Sequence, residues 1–388
     1  MKRIKRSDFP VPKDIKKISQ AFKDAGKDLY IVGGCVRDFL QGKEPKDIDL
    51  VTNSQPDQSI SILRGSGFRV SDEQGKKFGV LRVYTKDEPL GYELATYRKD
   101  ISKGRDTKGD DAKVEIGEHI TIEDDVRRRD LTSNSLFYDL HTGEIVDLVG
   151  GIDDIENNIV RAVGVPSQRF DEDRLRILRV LRFSARSGST IDKATEEAIL
   201  KDNRLIGVGP IDDISPERVW EEFVKAHGQC KDFKKYLDLI TYFDMWDQVF
   251  PGSFINQDFV DSDDLIIILA GLFITDDRPQ LERILIDQYK IEGDVAKKVI
   301  FLIKSVTFDG TGVLQFFRSK GSKFILDSEL KEWWDIMGCK DPWNIHFFEY
   351  KPSILAEDLM KVGLKGKMLG DKLNELEDNK FKELWERN

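Results

Sequence analysis

Cysteine is scarce in this chain of 388 residues: Cys35, Cys230 and Cys339 are odd in number and far apart. They exclude a disulfide framework and a zinc knuckle, and they point to a reducing, intracellular compartment, the cytoplasm. Long apolar runs are also missing. The longest, Leu265 to Ile274, is interrupted by Ala270 and Gly271. It falls well short of the ~20 residues needed to span a bilayer, so it is predicted to be a buried helix and no membrane is implied. The basic start, Met1 to Arg6, is not followed by an apolar segment, so an ordinary secretory signal is not expected. There is no repeat of fixed period and no low-complexity tract. Positive charge is in deficit, with 61 Lys and Arg against 71 Asp and Glu, a net charge of -10. That balance argues against broad nucleic-acid coating but leaves room for a local basic groove.

What is present divides the chain. Its length suggests two to four folded units. Residues 1–150 mix short β-type runs with helical stretches. Leu29 to Val32 reads as a strand ending at a double glycine, Val36 to Leu40 as a helix start and Ile48 to Thr52 as a second strand. Gly79 to Tyr84 and Tyr92 to Tyr97 read as two more strands. Lys99 to Asp111 is polar and predicted to be a loop. Leu136 to Tyr138 and Ile145 to Leu148 flank a hairpin turn at His141-Thr142-Gly143. After residue 150 strands almost disappear. Asp171 to Arg186, Pro216 to His227, Asp263 to Ile274, Pro279 to Tyr289 and Val295 to Val306 all suit helices. All six tryptophans lie in this second part, which predicts separate helical cores.

Several constellations could carry chemistry. Gly33-Gly34-Cys35-Val36-Arg37-Asp38 combines a tight turn, a helix start and a cation, a combination suited to phosphate. A plain strand-to-helix turn with a surface arginine is the competing explanation. In Lys46-Asp47-Ile48-Asp49-Leu50, strand alternation would put Asp47 and Asp49 on one face. Adjacent carboxylates repel unless a cation intervenes, and Mg²⁺ prefers such oxygen ligands. An isolated Asp-x-Asp is ordinarily solvated surface in an acidic chain. Its position soon after a Gly-Gly-x-x-Arg turn is what gives it weight. Glu93, on a neighbouring strand, is either a third acid or the anchor of a turn through an arginine, with the structural role favoured.

Arginine recurs downstream. Arg127-Arg128-Arg129-Asp130 through Asn134 offers a phosphate grip with Asp and Asn groups for a ribose hydroxyl, or else a solvated charge run. In the stretch from Glu172, Arg176, Arg179, Arg182 and Arg186 project onto one helix face, opposite Ile177, Leu178, Val180 and Leu181. Leu175 and Phe183 are exceptions on the arginine side. Asp173 and Arg176 could form an i,i+3 ion pair, or could present acceptor and donor to the edge of a base.

Taken together, these residues resemble the class II tRNA nucleotidyltransferase and poly(A) polymerase family of the polymerase-β-like superfamily. Gly33-Gly34-x-x-Arg37-Asp38 with Asp47-x-Asp49 is similar to the family's motif A, and Arg128-Arg129-Asp130 through Asn134 to motif B. Asp147, Gly150-Gly151, Asp154 and Arg161 resemble motif C, Glu172-Asp173-x-x-Arg176 motif D, and Ser215-Pro216-Glu217-Arg218 motif E. Leu131, Ser133 and Ser135-Leu136 depart from the usual motif B residues at packing positions. Gly75-Lys76-Lys77-Phe78-Gly79 and the tail segment Gly363 to Gly370 resemble segments of CCA-adding members. None of the four histidines precedes an aspartate, so a fused HD-type phosphohydrolase domain is not expected.

The resemblance implies an α+β fold. A polymerase-β-like nucleotidyltransferase head with a mixed sheet (1–150) would precede an all-helical neck (151–228), body (229–325) and tail (326–388). It implies Mg²⁺ on Asp47 and Asp49, and nucleotide contacts from Gly34, Arg37, Arg129, Asp130 and Asn134. Base reading would fall to Asp173 and Arg176, with Arg179 and Arg182 nearby. The implied activity is addition of CCA to the tRNA 3′ end from CTP and ATP, with no protein partner. Poly(A) polymerase, a partial CC- or A-adding enzyme and a non-catalytic RNA-binding protein are the alternatives. Retention of the 99–111 loop speaks against a CC-only enzyme.

Overall fold

The computed structural model describes residues 1–45, 47–71, 78–100, 114–203, 214–258, 262–307, 327–338 and 353–386. The sequence features at 75–77 and 101–111, Lys46, Cys339 and Trp343 lie outside them. The chain forms two compact units, Met1–Val249 and Phe250–Asn388.

Twelve strands lie among the described residues of the first unit. They are β1 (Lys2–Lys5), β2 (Tyr30–Val32), β3 (Asp49–Thr52), β4 (Arg69–Ser71), β5 (Val80–Tyr84), β6 (Tyr92–Thr96), β7 (Lys99–Asp100), β8 (Val114–Glu115), β9 (Leu136–Asp139), β10 (Glu144–Asp147), β11 (Ile159–Val160) and β12 (Thr190–Ile191). Eight of them make one sheet in the order β1-β10-β9-β2-β3-β6-β5-β4. The β3–β6 pair is parallel and the other pairs of this sheet are antiparallel. The mixed sheet inferred from the resemblance is therefore present. The β9–β10 hairpin turns at the expected place, where Gly143 takes φ +70°.

Alternation along the strands sorts side chains between two unequal faces. Ile31, Leu50, Leu81, Val83, Leu94, Leu136, Tyr138 and Ile145 point into the larger core. The helices Lys13–Asp24, Gly34–Leu40, Pro56–Gly65 and Gly151–Glu156 contribute Ile15, Ile18, Phe22, Val36, Ile60, Leu63 and Ile152 to it. The other face carries a smaller cluster of Tyr30, Val32, Val51, Phe137 and Val146, covered in part by Ile120, Val126 and Tyr97. The short helix Ile122–Arg127 supplies Val126 and begins with a capping box between Thr121 and Asp124.

Among the described residues, the rest of the unit is helical apart from the antiparallel pair β7–β8 and the parallel pair β11–β12. The single helix predicted for Asp171 to Arg186 is corrected. Two helices, Pro166–Glu172 and Leu175–Ser187, meet at Asp173, whose backbone is extended (φ -154°, ψ 103°). The break has a local cause: the Asp173 carboxylate accepts the amide of Leu175, an aspartate preference that competes with helix continuation. The helix Pro216–Gln229 packs against Leu175–Ser187.

The second unit contains helices Leu265–Leu272, Gly293–Thr307, Asp327–Ile336, Ala356–Lys361 and Gly366–Glu386. Asp264 caps the first by accepting the amides of Ile266 and Ile267. Predicted helix Pro279 to Tyr289 is instead a short turn of helix, Leu281–Arg283, followed by a π-helical segment, Ile284–Gln288. Trp333 and Trp334 are buried, with their indole N–H groups donating to the Leu302 carbonyl and the Ser305 hydroxyl. Among the described residues no helix is long and apolar enough to cross a membrane.

Candidate active site

The site is assembled on the thinly covered face of the sheet. Asp49 opens β3 and shares the face of Val51, opposite Leu50. It pairs with Val32, which pairs in turn with Phe137. Since β3 and β6 run parallel with Leu50 opposite Leu94, Glu93 falls beside Asp49. Asp49 is open to solvent yet closely surrounded by protein, and its carboxyl is pushed up to about 6. Loss of hydration is the main cause, followed by the Glu93 charge; Arg129 opposes the rise and Asp47 adds to it. Asp47 is exposed and precedes the strand in a left-handed conformation, φ +49°. The expectation that both aspartates lie within one strand is thus corrected, although their charges still interact. Among the described residues neither they nor Glu93 make an ion pair, so the anchoring of a turn by a Glu93–arginine pair is not observed.

The double glycine has separate tasks. Gly33 takes φ +87° at the head of helix Gly34–Leu40, a conformation that strains other residues. Gly34 leaves room for the Arg37 guanidinium: a Cβ there would stand 3.3 Å from Nη2. Arg37 is buried, donates to the Asp38 carboxylate at 2.7 and 2.9 Å, and donates also to the Asn134 side-chain oxygen. Burial lowers its guanidinium from the ordinary value. The Cys35 thiol beneath this turn is buried, and burial pushes it up to about 12, so it stays protonated and neutral.

The arginine run after helix Ile122–Arg127 is not a solvated charge cluster. Arg128 and Arg129 both clasp the buried Asp125, at 2.7 and 2.9 Å. Burial alone would raise the Asp125 carboxyl, but Arg129 and Arg128 outweigh it and hold it below the usual range. Arg129 also lies over the Phe137 ring, on the face that carries Asp49. Asp130 accepts a hydrogen bond from Arg179 Nε at 2.7 Å within an ion pair closing to 2.6 Å, and Arg179 outweighs burial to depress it too. Thr132–Asn134 forms a 3-10 turn fastened to Asp154, which also binds Arg161. Gly151 is required here, because a Cβ would come 2.2 Å from the Thr132 carbonyl oxygen. Asp147 accepts the amides of Val149, Gly150, Gly151 and Ile152, capping the helix that follows. The departing residues Leu131, Ser133 and Ser135 are buried, with the Ser135 hydroxyl returned to the Leu131 carbonyl.

The expected i,i+3 pair of Asp173 and Arg176 does not form, because the helix break separates them. Asp173 pairs with Arg218 at 2.8 Å. Arg176 donates to Glu172 at 2.7 Å and to the Arg128 carbonyl at 2.7 Å, and lies 3.9 Å from Asp100. The arginine face is only partly a free face. Arg182 is buried, bonded to Glu222 and to Gln229, whereas Arg179 remains partly exposed. Arg186 lies 3.6 Å from Asp38. The structure thus gathers Arg37, Asn134, Asp130 and Arg179 into one network, places Asp49 within reach of the Arg129 charge, and turns Arg182 toward the neighbouring helix. Sequence reasoning left Asp38, Asp125, Glu222 and Arg218 without roles; each is an acid or base buried against, or paired with, a motif residue. Periodicity alone cannot show such cross-chain partners.

Residues 29–161 match the Poly A polymerase head domain family. A CCA-adding enzyme of Lactobacillus helveticus is 38% identical over 212 residues, covering 54% of this chain and 48% of that protein. Poly(A) polymerase I of Salmonella typhi is 32% identical over 255 residues, covering 64% and 51%. The chain spans about half the length of these curated relatives. The fold is that of a Thermotoga maritima CCA-adding enzyme solved in complex with tRNA-CCA: TM-score 0.70 at 19% identity, covering 98% of this chain and 95% of that one. The likeness to the tRNA nucleotidyltransferase and poly(A) polymerase family thus rests on the head, residues 29–161, and on relatives named CCA-adding enzyme and poly(A) polymerase.

Proposed function

We propose that the chain is a template-independent nucleotidyltransferase that adds CCA to the 3′ end of tRNA from CTP and ATP, releasing pyrophosphate. The observation that carries this reading is the meeting, in one unit, of carboxylates that make no ion pair among the described residues and an arginine network. Arg129 links them, since its charge acts on Asp49. Asp47 and Asp49 would hold Mg²⁺; their mutual repulsion, heightened by Glu93, is what a bound cation would relieve. When bound, that metal supplies activation of the attacking hydroxyl and neutralisation of the leaving pyrophosphate.

The remaining work belongs to the chain. Gly34, Arg37 and Arg129 hold the triphosphate, and Asp130 and Asn134 meet the ribose. Asp130 accepts a hydrogen bond from Arg179 and Asn134 one from Arg37, which keeps both positioned. Asp173 and Arg176 read the base, with Arg179 and Arg182 beside them. Most of the rate would come from positioning and charge neutralisation. Head (1–150), neck (151–228), body (229–325) and tail (326–388) divide the labour, the last two holding tRNA, in the cytoplasm.

The test is incubation with tRNA trimmed of its end, CTP and ATP, followed by sequencing of the product. A CCA terminus supports the reading. Long tracts of A would instead establish a poly(A) polymerase, which relatives of that kind make the second reading. Termination at CC would mean a partial enzyme. RNA binding without incorporation would leave a non-catalytic RNA-binding protein.

A further inference from the structure

Phe183 stood out in the sequence as an apolar residue on an arginine face. In the structure its buried ring is surrounded by four guanidiniums: Arg182 at 4.5 Å from the centroid, Arg37 at 5.0 Å, Arg179 at 5.8 Å and Arg186 at 5.9 Å. Three come from its own helix and Arg37 comes from the helix Gly34–Leu40. Among the described residues, three carboxylates form ion pairs with these four cations: Asp38 with Arg37 and Arg186, Asp130 with Arg179, and Glu222 with Arg182. One positive charge is therefore in excess.

We propose that Phe183 is a positioning residue that holds Arg37 and Arg179 for the phosphates of the incoming nucleotide. An aromatic face attracts guanidinium through its quadrupole while carrying no net charge. A carboxylate in its place would hold the arginines equally well but cancel the surplus that an anion needs. An aliphatic side chain would fill the space and leave mutual repulsion to spread the cations. The ring does both tasks: it draws four like charges together and leaves their charge available. The inference deepens the functional reading above as regards nucleotide, but the anion site itself does not depend on it.

Inorganic tripolyphosphate is the direct probe, titrated by calorimetry against the full chain and two variants. Phe183→Leu should bind about tenfold more weakly, and Phe183→Tyr, which keeps the π face, should stay within about twofold of wild type. With trimmed tRNA, Phe183→Leu should raise KM for CTP about tenfold and change kcat by less than about twofold. A merely structural role would lower both activity and binding in parallel with the melting temperature, and Tyr would not rescue. Equal tripolyphosphate binding by wild type and Phe183→Leu overturns the proposal, as does equal loss in Leu and Tyr, or no binding by wild type. Should Phe183→Leu fail to fold, Phe183→Met takes its place with the same expectations. If tripolyphosphate binding behaves as expected while no nucleotide is transferred, the functional reading fails and the role of Phe183 stands.

Discussion

Asp49 and Asp125 are both aspartates of the head, yet their surroundings drive their carboxyls in opposite directions. Asp49 loses hydration and meets Glu93 and Asp47, and its carboxyl is pushed up to about 6. Asp125 is far more enclosed, and two arginines hold it below its ordinary range. Burial is therefore not what separates them; the sign of the neighbours is. Asp49 faces two like charges against the one opposing charge of Arg129. Asp125 has its own cations, Arg128 and Arg129, in direct contact.

The two carboxylates should differ most when Asp49 is removed. Asp49→Ala should lower nucleotide incorporation by roughly 10³-fold or more, read by extension of trimmed tRNA, with RNA binding nearly unchanged; retained activity would remove the metal assignment. Asp125→Asn should act on stability instead. It leaves two clustered arginines without their counter-charge, a loss of about 3–5 kcal/mol, seen as a fall of roughly 6–12 °C in melting temperature. Asp49→Asn, by contrast, should leave the metal-free melting temperature unchanged or raise it.

Acid should separate the same two sites. Asp125 and Asp130 have depressed folded-state values, so the stability they contribute is present above the unfolded carboxylate range and is lost as pH falls through the folded values. Asp49 has a raised value: its contribution is present below the unfolded value and is lost as pH rises toward and through about 6. Metal-free wild type should accordingly lose ground to Asp49→Asn between about pH 4 and 7, and Mg²⁺ should close the gap. Thermal melts across that range decide it. The smallest effect is expected at the exposed Asp173–Arg218 pair, where Arg218→Ala should cost about 0–1 kcal/mol of stability. A large loss there would show that the helix break depends on Arg218.

The head was legible because its signals are local. Strand alternation identified β2, β3, β5, β6 and the β9–β10 hairpin to within a residue or two. Gly33 could be read because a positive φ favours glycine. The break at Asp173 was hidden, since the apolar and arginine spacing continues across it and no glycine or proline marks it. The angular projection placed Arg182 on the arginine face but could not show that Glu222 would arrive from Pro216–Gln229 to bury it. Phe183 read as an exception for the same reason: its role depends on Arg37, which stands far away in the sequence.

The sheet also bears on how the chain is made. Its edge strand β1 (Lys2–Lys5) pairs only with β10 (Glu144–Asp147), and β2 needs β9 on one side. At ribosomal speed, the interval between synthesis of β1 and of its partner is roughly 7–30 s. The first strand therefore emerges long before it has anywhere to dock. Its sequence, Lys-Arg-Ile-Lys, carries enough charge to discourage pairing with another chain during that wait.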